Sequence, residues 1–355
     1  MKIVRDWLFM ILLLSNLPAS ASSGAAVFGG FESKPEKGRI SFSNPGYELN
    51  QILKDGSPFI KPEMEGAGSK AEPGQPDLPT MSTYYAVEPG KTFTVNVLIK
   101  DSEVIENVEV VPFETWDSQP SGVTGKGVTY QQSSLFPANI ASVSDPMVFR
   151  DIVMVQVSVT PFQYNPVSKT LTVIQDVDLE LVESGETELP HIPQKKSREF
   201  EKLYKSLVVN YPSTVREGDE VYQRPSILYV LPNNIGNLLG TVEELMNWKK
   251  RVGFDVQYVS NSSIVNNRNN LKNYIEDAYE TWENPPVHVN IVGDVNGSYD
   301  IPTWNESYSG YSGEGDMPYT TLEGNDVYPE VFIGRMSFST SSHLNTIISK
   351  TLNYE

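Results

Sequence analysis

Two differently patterned regions predict a multidomain fold: a β-sandwich or barrel-like first domain, then a partial α/β domain on a mostly parallel sheet. From Tyr84 to Leu181 the apolar residues fall in short alternating runs separated by turn signals, the pattern of an antiparallel all-β domain. From Pro225 onward short, wholly apolar runs alternate with amphipathic helical periods, as in parallel sheets with right-handed crossovers. Between them, from Glu183 to about Arg224, lies a charged stretch without strand pattern, which marks a domain boundary.

In the first region the runs are Phe93 to Ile99, Val104 to Val111, Met147 to Val159 and Lys169 to Leu181, with Glu88-Pro89-Gly90 and Tyr164-Asn165-Pro166 as turns. The last run places apolar residues at Leu171, Val173, Val177, Leu179 and Leu181. Its alternation slips by one residue around Gln175, the signature of a bulge or bend. Residues 24 to about 75 are rich in Gly, Ser, Pro, Lys and Glu, and are expected to form a loosely structured lead-in. The charged stretch carries a weak helical segment and then Thr214-Val215-Arg216-Glu217-Gly218-Asp219.

In the second region Ser226 to Leu231 reads as a buried strand, followed by a helix from about Ile235 to Val252 that stops at Gly253. Phe254 to Val259 is a second strand, and a helix near Ser263 to Trp282 presents Leu271, Tyr274, Ile275, Ala278 and Tyr279 on one face. Val287 to Val292 is a third strand, Glu330 to Gly334 a fourth, and a last helix begins near Ser341 with Leu344, Ile347, Ile348 and Leu352. That helical pattern still runs at Asn353-Tyr354-Glu355, so the α/β domain reads as incomplete within these residues.

The N-terminus has the pattern of a signal peptide: Lys2 and Arg5, an apolar run from Trp7 to Leu14 too short to span a bilayer, and Ala19-Ser20-Ala21 as the small-residue cleavage position. No other segment is apolar enough to span a membrane, which points to a secreted or cell-surface bacterial protein. A formal net charge of −18 argues against nucleic acid or anionic membrane as a partner. The 355 residues contain no cysteine, which excludes a cysteine nucleophile and thiolate metal ligation from them.

Nucleophilic chemistry has no readable constellation here. His191 lies in a Pro-flanked segment, His288 in a buried strand and His343 in the first turn of the last helix, none with a Ser or acid at triad spacing. Neither G-x-S-x-G nor H-E-x-x-H occurs. One acidic constellation stands out. Glu323, Asp326 and Glu330 lie on a Gly-containing turn, Tyr328 offers a carbonyl between them, and Asp294 stands at the carboxyl end of the third strand. Hard oxygen donors on such a turn suit Ca²⁺; the alternative is an acidic surface turn.

The segment from Ser226 resembles the first subdomain of the catalytic domain of the gingipains, caspase-like cysteine endopeptidases. The matching stretches are Trp248-Lys249 with Gly253-Phe254, Ile291 to Asp294, Ile301-Pro302, Gly315 to Tyr319, Gly324-Asn325-Asp326, Glu330 to Arg335 and Lys350 to Glu355. Upstream, Gly74 to Pro79 and Val159 to Pro166 resemble the inhibitory propeptide of that family. The resemblance implies a caspase-like α/β domain whose catalytic His and Cys belong to a second subdomain. It also implies calcium held by the side chains of Asp294, Asp326 and Glu330 and the carbonyls of Glu323 and Tyr328.

The resulting expectation is the front part of a secreted cysteine endopeptidase zymogen. It comprises a signal peptide (1–21), a lead-in (22–75), an inhibitory β-rich propeptide (76–183), a linker with a processing site at Arg216 or Arg224 (184–224), and the first catalytic subdomain (225–355). Its partners would be the catalytic domain that the pro-domain blocks and the peptide substrates of the complete enzyme. Lys126, in the Gly125-Lys126-Gly127 turn, reads as an ordinary turn lysine, with reach into a specificity pocket as the alternative. A secreted, non-catalytic adhesion or binding module with a degenerate peptidase half is the rival from another class. A free-standing inhibitor would leave the α/β half unexplained.

Overall fold

The computed structural model describes residues 28–54, 56–114, 125–211, 222–308 and 311–355. The expected signal peptide, its cleavage position at Ala21 and the processing candidate Arg216 lie outside the described residues.

The first half runs β1 (Phe31–Ser33), β2 (Arg39–Ser43), β3 (Glu48–Lys54), β4 (Ser57–Glu63), β5 (Gly68–Ser69), β6 (Pro79–Val87), β7 (Lys91–Ile105), β8 (Ala141–Val143), β9 (Met147–Phe149), β10 (Ile152–Val159), β11 (Phe162–Asn165), β12 (Thr170–Glu186) and helix α1 (Arg198–Leu207). Among the described residues these strands form two five-stranded antiparallel sheets and a separate β3–β4 hairpin. One sheet is ordered β1-β2-β12-β11 with β7 on the other side of β12, and the other is ordered β5-β6-β10-β8 with β9 also on β10. Inward residues of both, such as Ile40, Phe42, Val173 and Val177 from one and Met81, Val155 and Val157 from the other, share a single buried core. Each large apolar side chain so buried contributes about 1.5–3 kcal/mol.

The described part of the stretch 22–75, residues 28–54 and 56–75, is not the loose lead-in its composition suggests. Its strands carry at most two fully buried core residues, yet Ile40 and Phe42 on β2 are among them because β12 supplies their partners. Pairing with a distant strand overrides weak local pattern. The slip at Gln175 is present: β12 pairs with β7 through Ile174 and Asp176 with a register shift between them. Phe93–Ile99 and the start of the run expected over Val104–Val111 are one continuous strand, which ends at Ile105, because β12 offers a long partner; Val108–Val111 lie outside it.

The second half runs β13 (Ser226–Val230), α2 (Leu239–Arg251), β14 (Asp255–Val259), α3 (Ser262–Val265), α4 (Arg268–Thr281), β15 (His288–Val292), the hairpin β16 (Trp304–Tyr308) and β17 (Tyr311–Gly315), β18 (Phe332–Met336) and α5 (Ser341–Tyr354). The sheet order is β14-β13-β15-β18, with every pair parallel. Alternation on β13 explains the layers. Leu228 and Val230 pack with Leu271, Ile275 and Tyr279 of α4 on one face, while Ile227 and Tyr229 pack with α2 and α5 on the other. The helix expected over Ser263–Trp282 is broken between α3 and α4, where the Asn267 side chain accepts from the N–H groups of Asn269 and Asn270 and starts a new helix.

A further core joins the halves. Phe149, Met154, Phe200, Tyr204, Val208 and Tyr211 from the first half pack with Val287 from the second, flanked by Tyr328 and Phe332. The charged linker supplies α1 to this core: Ser197 caps it, and its apolar stripe buries Phe200 and Tyr204. No helix of the described residues is long and apolar enough to cross a membrane.

Candidate functional site: the strand ends and the interface turn

The order in which strands are added to the sheet reverses about β13, with β14 on one side and β15 on the other. Open α/β sheets bind their ligands at the carboxyl ends beside such a switch. Here those ends are organised by Arg335, near the C-terminus of β18. Its guanidinium forks onto Asp316, Nε donating to Oδ2 at 2.8 Å and a terminal nitrogen to Oδ1 at 2.7 Å. The other terminal nitrogen donates to the carbonyls of Gly293, Asp294 and Ile301 at 3.0–3.2 Å. Burial opposes ionisation of Asp316, but hydrogen bonds from Arg335 and Thr303 outweigh it and hold its carboxyl below the usual range. Gly293 is required by close approach, since a Cβ there would stand 2.6 Å from the Tyr299 carbonyl oxygen.

Asp294 belongs to this network. Its backbone carbonyl accepts from Ile301 and Arg335, and its side chain accepts from the N–H of Val295 at 2.9 Å. The acidic turn is built separately. Gly324 opens it at φ 74°, a left-handed conformation suited to glycine. Asp326 accepts from the N–H of Tyr328 and, across the boundary between the halves, from the N–H of Val148, both at 2.8 Å. Burial raises its carboxyl above the ordinary value. Glu330 is fully buried. One of its oxygens accepts from Leu322 at 2.7 Å and Glu323 at 3.2 Å, and the other, Oε1, has no hydrogen-bond partner. Burial pushes the Glu330 carboxyl up to about 7. The structure therefore brings Glu323, Asp326, Tyr328 and Glu330 together and places Asp294 with Arg335. Among the described residues no three acidic or histidine side chains form a ready metal cluster.

The turn also receives the tip of the β9–β10 hairpin. Arg150 there has φ 49° and is fully buried. It donates to the carbonyls of Pro286 (3.0 Å) and Glu330 and to the Gln223 side chain (3.0 Å), between the rings of Phe200 and Tyr279. Asp151 beside it accepts from the Ser197 N–H, and burial pushes its carboxyl up to about 6. The Tyr84 and Tyr328 hydroxyls meet across the same boundary. Sequence patterning marked neither arginine: Arg335 was visible only as part of Gly334-Arg335, and Arg150-Asp151 looks like any polar turn.

The histidines stand apart. His191 packs edge-on to Tyr279, His288 stacks on Phe332 with its pKa lowered by burial, and His343 Nδ1 lies 3.2 Å from Ser339 Oγ. Arg224 is exposed and reaches the Gly253 carbonyl. Lys126 is held on the first half itself, paired with Glu109 and lying over the rings of Phe59 and Tyr130.

Comparison with known proteins divides the chain at the same boundary. The family model Propeptide_C25 matches residues 33–217, more than half of the chain, and the model described as Peptidase family C25 matches residues 221–355. Gingipain R2 of Porphyromonas gingivalis (strain ATCC BAA-308 / W83) is 29% identical over 301 residues, covering 80% of this chain and 39% of that protein. Lys-gingipain of the same species (strain ATCC 33277) is 24% identical over 338 residues, covering 89% of this chain and 19% of that protein. Among solved structures, the complex of Porphyromonas gingivalis RgpB pro- and mature domains aligns with a TM-score of 0.47 and 24% identity, over 54% of this chain and all of that one. The chain thus spans about two fifths of the length of Gingipain R2. It belongs to the C25 family, as a gingipain-like precursor sequence in which that family's propeptide precedes a stretch of its peptidase domain.

Proposed function

We propose that the chain is the N-terminal part of a secreted cysteine endopeptidase zymogen, its first half an inhibitory β-sandwich pro-domain and its second half the first subdomain of a caspase-like catalytic domain. The main support is the buried seam between the halves, built from Phe149, Phe200 and Tyr204 on one side and Val287 and Phe332 on the other. A pro-domain that silences an enzyme must hold it in this way. The shared core of the two first-half sheets favours a sandwich over a barrel. With no cysteine among the 355 residues, the attacking thiolate and its histidine partner are assigned to the remainder of the enzyme, where the thiolate would attack the peptide carbonyl. The purified chain is expected to hydrolyse no peptide. Enzyme matured from the complete precursor is expected to cleave peptides and to lose that activity on thiol alkylation. Hydrolysis by the chain itself, or activity indifferent to alkylation, overturns the assignment.

The acidic turn is proposed as a structural calcium site, with side-chain oxygens from Asp326 and Glu330 and backbone carbonyls of Glu323 and Tyr328. The partnerless, buried Oε1 of Glu330 supports it, since an isolated buried carboxylate oxygen is costly and a hard cation satisfies it. Asp294, the fifth expected ligand, would join through Oδ2, since its hydrogen bond from Val295 occupies only Oδ1. A bound cation would offset the repulsion between the Asp326 and Glu330 carboxylates and fix the turn; it takes no part in the chemistry. At a hundredfold excess over its dissociation constant, calcium is expected to raise the stability of the chain by about 2.7 kcal/mol. Thermal melts with calcium and with chelator measure this, and Glu330→Gln is expected to abolish the shift. A wild-type melt that ignores calcium refutes the site.

A further inference from the structure

Arg150 is a fully buried charge at the boundary between the halves. Its side chain has no exposed surface, and its counter-charge, Asp151, sits 3.5 Å from Nε on the same hairpin. Everything else that satisfies the guanidinium comes from the peptidase-family half, apart from the Phe200 ring. The carbonyls of Pro286 and Glu330 and the Gln223 oxygen receive its N–H groups, and Tyr279 covers one face. The Tyr279 hydroxyl donates in return to the Arg150 carbonyl at 3.2 Å. The socket is itself prepared: the Gln223 amide donates to the Pro285 carbonyl at 2.9 Å and to Ser226 Oγ at 3.2 Å, which fixes the direction of its oxygen. A planar fork of donors fits three fixed acceptors in a way that a point-charge ammonium does not. The residue also holds a left-handed backbone conformation, φ 49°, in the short turn between β9 and β10. Residues other than glycine take that conformation uncommonly.

Resting on the zymogen assignment above, we propose that this socket is the surface by which the peptidase half recognises its own pro-domain, with Arg150 as the anchor. Its occupant is the hairpin tip 147–152, and it keeps the two pieces together once the chain between residues 211 and 222 is cut. The neighbouring contacts, Val148 N–H to Asp326 and Tyr84 to Tyr328, set the register of the hairpin on the turn. The arginine supplies most of the grip, because removing it leaves three desolvated acceptors unpaired at the centre of the seam.

The test uses the full chain with a specific protease sequence placed within 212–221, cut after purification. Association of the two pieces is followed by size-exclusion chromatography and by the dissociation rate on a sensor surface. The cut wild-type chain is expected to co-elute as one species. Arg150→Ala and Arg150→Gly are expected to speed dissociation about a hundredfold, in line with truncation of a buried charged anchor. Arg150→Lys should fall between them and wild type. The glycine variant is decisive, since it takes the turn conformation freely while lacking the fork. If it dissociates like wild type, hairpin shape and not arginine is recognised, and the proposal fails. It fails equally if cut wild-type pieces separate at micromolar concentration. Should the alanine and glycine chains not fold before cutting, Gln223→Ala removes one acceptor from the socket side and is expected to speed dissociation about tenfold; an unchanged rate there also overturns the proposal. None of these readouts depends on peptidase activity, so their failure is separable from failure of the zymogen assignment.

Discussion

Replacing Arg335 by alanine is expected to destabilise the second half by about 3–5 kcal/mol, the cost of leaving a mostly buried charge without its partner. The Arg335 and Asp316 side chains are only 10% and 18% exposed, so water cannot restore what the guanidinium supplied. Three backbone carbonyls at the strand ends lose a donor in the same step. Arg335→Lys should recover only part of the loss, because one ammonium cannot satisfy both oxygens of Asp316 and three carbonyls together. Urea unfolding of the full chain measures the effect. A change below about 1 kcal/mol would show that Arg335 is a surface ion pair and not the clasp of the strand-end loops.

Phe200→Ala is expected to cost a similar amount, about 3–5 kcal/mol, but to distribute it differently. The ring is fully buried and packs with centroids 5.5 Å from Phe149 and 4.4 Å from Phe332, one on each side of the seam. The cavity therefore opens between the halves. Calorimetry of the wild-type chain should show one cooperative transition, and of the variant two, with the earlier one moved to lower temperature. A single, unmoved transition would mean that the halves melt together for reasons other than this packing.

Where local pattern and final pairing agreed, the fold was legible in the sequence. The apolar runs of β13, β15 and β18 announced a parallel sheet because strands covered on both faces need no polar alternation. The slip at Gln175 announced a bulge because a one-residue offset exchanges the faces of a strand. The strands over 31–43 were hidden for the opposite reason: β2 takes its order from β12, far along the chain, and β1 follows β2. The break between α3 and α4 was missed because Asn266-Asn267 interrupts the apolar face without Gly or Pro to mark it.

The site was legible in its residue types more than in its partners. Glu323, Asp326, Tyr328 and Glu330 share a turn, as their spacing suggested, while Asp294 is drawn to Arg335 by a loop closure that no spacing reveals. Nor could the turn's contact with Val148 and Arg150 be read from the sequence. A polar hairpin tip has the same composition whether it faces water or fills a socket.

The pairing of β2 with β12 also sets a condition on how the chain folds. Arg39 meets Glu180 and Ser43 meets Asp176, contacts 141 and 133 residues apart in sequence. Closing so distant a pair is entropically slow, and at a synthesis rate of about 5–20 residues per second the later strand emerges on the order of ten seconds after the earlier one. Through that interval Ile40 and Phe42 have β1 on one side and no strand on the other. The nascent first half therefore carries an open apolar edge until almost all of it has been made, and that edge is where mispairing with another chain would begin.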